Sequence, residues 1–188
     1  MLIAIKGLIG SGKTTTSNYL HEKYNAYHYN CDERVKKIYA SHKEVIKRVN
    51  NEVLGTDLNY IDMDQLRIVA FGDESKLAQL EKIIYPYLEA EIDTVSEEYD
   101  FVLLDCQQID KLELDITYNI CLKLDEDILV KRVQERDNRS EQQIQDILDI
   151  QKQYQIKSDF TVTNNGSVEQ LHQELDKVME EINEKASR

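Results

Sequence analysis

Gly7-Leu8-Ile9-Gly10-Ser11-Gly12-Lys13-Thr14 satisfies the pattern GxxxxGK[ST] at every fixed position. The chain has six glycines, and three of them fall in this octapeptide. A loop that bends around phosphate groups needs glycine, because backbone N–H groups converge there only when no Cβ stands in the way. A helix beginning at the end of the loop adds unpaired N–H donors and a partial positive charge. Lys13 supplies a point charge for the β- and γ-phosphates, and the Thr14 hydroxyl is placed for Mg²⁺. The competing reading is a glycine turn without a ligand. With glycine at about 7% of residues, a chance match is expected on the order of once in a few hundred chains. The flanks decide further: a strand-like run precedes the loop and a helix-like run follows it, which is the context phosphate binding requires. The loop specifies a nucleoside triphosphate without saying what is done with it.

The rest of the chain repeats the alternation that the loop interrupts. Leu2 to Ile5 reads as a strand buried on both faces, and Thr14 to Tyr24 as a helix. Further strands are expected at 27–30 (ending in Asn30), at Phe101 to Leu104 before Asp105, at Asn119 to Leu124, and at Phe160 to Thr163. Helical spacing covers Asp32 to Tyr39, Lys43 to Val53, Leu66 to Ala70, Lys76 to Ile84, Asp127 to Arg136, Glu141 to Tyr154 and Val168 to Ile182. Pro86, the single proline, is expected to open a separate helix from Tyr87 to Val95, because proline suits a first turn. Five strands separated by helices predict right-handed βαβ units. The fold class is therefore α/β, a three-layer sandwich around a five-stranded, mostly parallel sheet. The organisation expected is one domain over 1–188, with a helical acceptor-side insertion at about 40–98 and a lid at about 132–158. Ligands in such sheets gather at the C-terminal ends of the strands.

Composition narrows the partners. The 188 residues carry 36 acidic and 23 basic side chains, a net charge of −13, which argues against non-specific nucleic-acid binding. No apolar run approaches the roughly 20 residues of a membrane span. The N-terminal residues lack the basic segment and cleavage site of a signal peptide. A small-molecule substrate and a cytoplasmic setting are the expectations. Cys31, Cys106 and Cys121 form no CxxC pair, so neither a disulfide framework nor a zinc site is suggested, and small apolar filling is expected of Cys31 and Cys106. His21, His28, His42 and His172 have no metal-site spacing and read as structural or exposed.

Two carboxylates stand at predicted strand ends. Asp105 follows four apolar residues, as does the acid that holds Mg²⁺ in many phosphoryl-transfer sites; its bland alternative is a solvated turn. Asp32 follows the second strand and is either an acceptor-orienting base or the N-cap of the next helix. Lys131, Arg132, Arg136 and Arg139, with Lys152 and Lys157 beyond, form a basic cluster in an acidic chain. Arg132 and Arg136 share a helix face, as residues four apart do. The position of the cluster between strands four and five matches the mobile lid of small kinases, with Arg136 and Arg132 as nucleotide contacts.

From Gly7-Leu-Ile-Gly-Ser-Gly-Lys-Thr-Thr15 to Asn164-Asn-Gly166, the chain resembles the dephospho-CoA kinases, members of the P-loop group related to nucleoside monophosphate kinases. The family's Asp-Ala-Asp corresponds to Asn30-Cys31-Asp32, which makes Asp32 the proposed catalytic base. Its Asp-Arg-x-x-Leu stretch resembles Asp62 to Phe71, its His-Pro is Tyr85-Pro86, and its Arg-x-x-x-Arg-Asp is Arg132 to Asp137. A later Gln looks like Gln151. Asp159 to Gly166 resembles the loop that borders the adenine, which implies adenine contacts at Asn164 and Gly166. The resemblance implies ATP and Mg²⁺, with Thr14 and Asp105 toward the metal, and dephospho-CoA or another nucleotide-like molecule as acceptor.

The departures lie on the acceptor side. The family's Asp-Ile-Pro-Leu-Leu-Phe-Glu is here Asp105-Cys-Gln-Gln-Ile-Asp-Lys111. Asn30 and Tyr85 replace an acid and a histidine, and the stretch between Gln151 and Asp159 is about three residues short. Two other readings follow: a nucleoside or (deoxy)nucleotide kinase, with Gln107 and Gln108 on a base edge, or a non-metabolic ATP-binding module.

Overall fold

Leu2–Gly7 forms β1, and Ile3, Ala4, Ile5 and Lys6 are buried in succession, as a central parallel strand requires. The other strands are β2 (Tyr27–Asn30), β3 (Val102–Asp105), β4 (Tyr118–Lys123) and β5 (Phe160–Thr163). The computed structural model describes residues 1–106, 109–152 and 158–187, the Phe71 side chain excepted. Gln107 and Gln108, as well as Tyr154 and Lys157, lie outside the described residues.

The sheet order is β2-β3-β1-β4-β5. β1 runs parallel to β3 and to β4, and β4 parallel to β5. Chain order reverses at β1, so the end of that strand is the topological switch point where α/β sheets bind ligands. Helices α1 (Lys13–Tyr24), α2 (Cys31–Ser41), α3 (Lys43–Arg48), α4 (Met63–Gly72), α5 (Glu74–Glu98), α6 (Glu126–Asp137), α7 (Glu141–Gln151) and α8 (Val168–Ala186) complete the chain. No described helix is long and apolar enough to cross a membrane.

The chain divides into two compact units. The first comprises Met1–His28, Tyr99–Ile109 and Asp115–Arg188. Its main core sets Ile3, Ile5, Leu103, Ile120, Leu122 and Val162 from the strands against Leu20 of α1 and Leu171, Leu175, Met179 and Ile182 of α8. The i, i+4, i+8 spacing along α8 is what turns these residues onto one face. A second cluster joins Leu129 and Val133 of α6 to Ile144 and Leu148 of α7, with Leu8 and Ile9 of the phosphate loop packed on it.

The second unit comprises Tyr29–Glu98 and Asp110–Leu114. Within it α5 packs against α2, α3 and α4, burying Ile83, Ile84, Leu88 and Ile92. Several element ends shift by a few residues from the sequence-based expectation, and two differences go further. α5 is one helix of 25 residues with Pro86 inside it, not two. Proline removes one ladder hydrogen bond, and here buried isoleucines and leucines on both sides of it hold the helix together. The stretch from Lys43 leaves α-helical geometry at Val49 and continues as a π-helical turn to Leu54. Buried Asn50 is the physical reason: its Nδ2 donates to the Ile46 carbonyl at 2.9 Å, competing with the helix ladder, and also to Leu58 O and Tyr60 O.

The cysteines also depart from expectation. Cys31 and Cys106 are each disulfide-bonded, whereas Cys121 is a free, buried thiol. Spacing rules detect frameworks and metal knuckles, and are blind to disulfides that no spacing marks.

Candidate active site

The phosphate loop follows from where β1 stops and α1 starts. Gly10 and Gly12 have φ of 76° and 98°, a left-handed conformation that side-chain-bearing residues rarely adopt. A Cβ on Gly10 would lie 2.6 Å from Val133 Cγ2, and one on Gly12 would lie 2.5 Å from Asn164 Nδ2. α1 begins at Gly12 with no side-chain cap and no acid in its first turn. By contrast α2, α4, α7 and α8 are capped by Asn30, Asp62, Ser140 and Ser167. α3 and α6 also lack a side-chain cap but carry acids in their first turns, Glu44 and Glu126; α1 has neither, so its first N–H groups suit an anionic ligand. Lys13 folds back onto the loop, its Nζ donating to Gly7 O at 3.0 Å and to Leu8 O at 3.4 Å.

A cleft of about 460 Å³ opens over this loop. Gly10, Ser11, Gly12, Lys13, Thr14 and Thr15 line it, with Arg132 and Arg136 from α6 and Asn164 and Gly166 from the turn after β5. Gly7, the last residue of β1, does not line it. Val168 and Leu171, at the start of α8, do. These two were not singled out in the sequence, where nothing sets them apart from the other apolar residues of the closing helix; Val168 is 50% exposed and Leu171 buried.

The basic residues are held by local partners. Arg132 Nη2 donates to Gly166 O at 3.3 Å, joining α6 to the turn after β5. Arg136 makes a bidentate pair with Asp137, at 2.6 and 2.7 Å. Hydrogen bonds from Arg136 hold the Asp137 carboxyl below its usual range. Lys152 pairs with Glu126 at 2.6 Å, joining the end of α7 to the start of α6. Asn164 is buried, and its Nδ2 donates to Ser11 O at 2.9 Å, so its amide braces the loop.

The two carboxylates sit in different units. Asp105 ends β3, and its carboxylate lies 3.8 Å from His28 Nε2, a buried atom with no hydrogen-bond partner among the described residues. Asp32, in the first turn of α2, is exposed. The capping role that competed for Asp32 belongs to Asn30, whose Oδ1 accepts from Glu33 N at 3.0 Å. Tyr85, at the histidine position of the resemblance, is half-buried, and burial with nearby Glu81 raises its phenol above the usual value. Among the described residues no group of three or more His, Cys, Asp or Glu could hold a metal ion. A Mg²⁺ shared with a nucleotide does not need one, because it keeps several waters and takes one or two protein oxygens beside the phosphates. The Thr14 hydroxyl and the Asp105 carboxylate are hard oxygen donors of that kind.

Comparison with known proteins bears on the fold and the family. The family model described as dephospho-CoA kinase matches residues 1–170. The dephospho-CoA kinase of Oceanobacillus iheyensis is 28% identical over 197 residues, covering 97% of this chain and 98% of that protein. Two solved structures show the same fold. One is TT1252 of Thermus thermophilus, with a TM-score of 0.76 and 23% identity over 96% of this chain and 97% of that one. The other is the dephospho-CoA kinase of Campylobacter jejuni, with a TM-score of 0.60 and 20% identity over 96% of each chain. The chain thus belongs to the dephospho-CoA kinase family, phosphotransferases that use ATP as co-substrate and act on a hydroxyl group.

Proposed function

We propose that this chain moves the γ-phosphoryl group of ATP to the ribose 3′-hydroxyl of dephospho-CoA, giving ADP and CoA. The observation that carries the reading is the cleft in which an uncapped helix start, Lys13, Arg132 and Arg136 converge. The acceptor follows from the family.

In this reading the amides of residues 10–15 hold the β- and γ-phosphates. Lys13 exchanges the carbonyls of Gly7 and Leu8 for phosphate oxygens. Arg136 shares its guanidinium between Asp137 and the donor, where positive charge offsets what develops on the transferred group. Arg132 and the turn at Asn164 to Gly166 border the base. The Asp32 carboxylate accepts the proton of the attacking 3′-hydroxyl as the bond from the γ-phosphorus to the ADP oxygen breaks and the new P–O bond forms. Thr14 and Asp105 would hold Mg²⁺, which neutralises phosphate charge when bound.

The test is ADP release with dephospho-CoA as acceptor, in wild type and Asp32→Asn. Acceptor-dependent turnover is expected in the wild type. The variant should lose roughly 10²–10⁴-fold in kcat with ATP affinity retained. A variant whose ATP binding collapses removes Asp32 from the role of base.

A further inference from the structure

We infer that Gln151, the last residue of α7, is a positioning residue for the phosphoryl donor, acting through the shape of the phosphate loop. Its Oε1 accepts the Ile9 amide at 2.8 Å, a partly buried hydrogen bond between residues 142 positions apart. Within the loop, Ser11 N donates to Leu8 O at 3.1 Å, closing a tight turn over 8–11. Ile9 sits in that turn, and it is residues 10–15, not Ile9, that line the cleft. Gln151 therefore does not compete with a nucleotide for its N–H; it fixes the turn from outside the cleft.

Three further contacts give the brace its stiffness. Leu8 and Ile9 pack on the apolar seam between α6 and α7. Gly10 lies so close to Val133 that no Cβ fits between them. The Lys152–Glu126 pair ties the end of α7, and so Gln151, to the start of α6. Opposite, Asn164 holds Ser11 O. Two side-chain amides from different elements thus grip the loop at Ile9 and at Ser11. Because Arg132 and Arg136 ride on α6, the hairpin that carries the donor's cationic contacts also sets the curvature of its phosphate nest. A partly buried N–H that loses its acceptor costs free energy, so losing Gln151 is relieved by the turn shifting. The amides of residues 10–15 then no longer converge.

The inference rests on the cleft being the ATP site, and the experiment separates the two. Gln151→Met keeps the length of the side chain and removes the acceptor, while Gln151→Glu keeps an oxygen at the same reach. Three quantities are read: hydrogen exchange of the Ile9 amide by NMR, the KM for ATP, and the KM for the acceptor. Gln151→Met should expose the Ile9 amide to exchange and raise the KM for ATP roughly five- to thirtyfold. The acceptor KM should stay within about twofold, because the turn shapes the loop assigned to the donor's phosphates. Gln151→Glu should restore Ile9 protection and bring the KM for ATP below that of Gln151→Met. Unchanged Ile9 exchange, an unmoved KM for ATP, or an equal rise in both KM values overturns the inference. A wild-type chain that binds no ATP overturns the donor reading and the inference with it.

Discussion

A methyl group at Gly12 would have to displace the Asn164 amide that braces Ser11, in a backbone whose φ of 98° already disfavours a side chain. Gly12→Ala is therefore expected to cost ATP affinity, read as a weaker Kd by titration calorimetry, with the acceptor's own binding spared. Lys13→Ala changes charge and leaves the backbone alone. It should lower kcat on the order of 10²–10³-fold, in the range of losing one preorganised donor, while leaving the melting temperature within a few degrees. A loss of fold in Lys13→Ala would contradict that division. The loop was legible from residues alone because a phosphate nest fixes two glycines, a lysine and a hydroxyl at set spacing. Its braces were not, since Asn164 and Gln151 stand far along the chain and act as generic amides in the right place. Asp32 shows the reverse limit. Asn30 and Asp32 are both good capping residues, two apart, and only the structure shows that Asn30 takes the cap.

Among the helices, the contact between α1 and α8 makes a pH prediction. The Tyr19 and Tyr24 hydroxyls donate to Asp176 Oδ1, Lys23 Nζ donates to Oδ2, and Tyr19 stacks on His172 at 3.7 Å. Burial pushes the Asp176 carboxyl up, but the hydrogen bonds from Lys23, Tyr19 and Tyr24 outweigh it and hold it at about 2, against an ordinary 3.8. A depressed carboxyl contributes stability that is complete above its unfolded value and lost as pH falls through the folded one. The melting temperature of the wild type should therefore fall as pH drops from about 4 to about 2, and Asp176→Asn should flatten that part of the profile while lowering the melting temperature at neutral pH. Pro86 gives a second test. Pro86→Ala restores an amide to the middle of α5 and should raise stability by about 1–3 kcal/mol, seen as a higher denaturant midpoint. A lower midpoint would mean that the helix is built around the proline. Helical spacing marked both halves of α5, but the preference of proline for a first turn divided them. That preference reflects a local cost, and burial of the isoleucines and leucines on either side outweighs it. The π-turn at Val49–Leu54 was illegible for a related reason: its cause is an asparagine side chain bonded to carbonyls ten residues ahead as well as four behind.

Over the entire chain, alternation of apolar runs and helical stretches was enough for five parallel strands, because each βαβ unit must bury its strand on both faces. The order β2-β3-β1-β4-β5 was not contained in that alternation, which fixes handedness and not which strands are neighbours. The order is what puts the phosphate loop at the switch point, so the donor half of the site draws on sequence and topology together. Its acceptor half rests on membership of the dephospho-CoA kinase family, in a chain whose residues 105–111 and Tyr85 depart from that family's pattern. The decisive assay is ADP release from the purified wild-type chain with ATP and Mg²⁺, comparing dephospho-CoA with a panel of nucleosides and nucleoside monophosphates at equal concentration. The expected result is turnover that depends on dephospho-CoA, exceeds that with every other acceptor, and yields CoA phosphorylated at the ribose 3′ position. Turnover with a nucleoside in place of dephospho-CoA, or slow ATP hydrolysis indifferent to any acceptor, would contradict it.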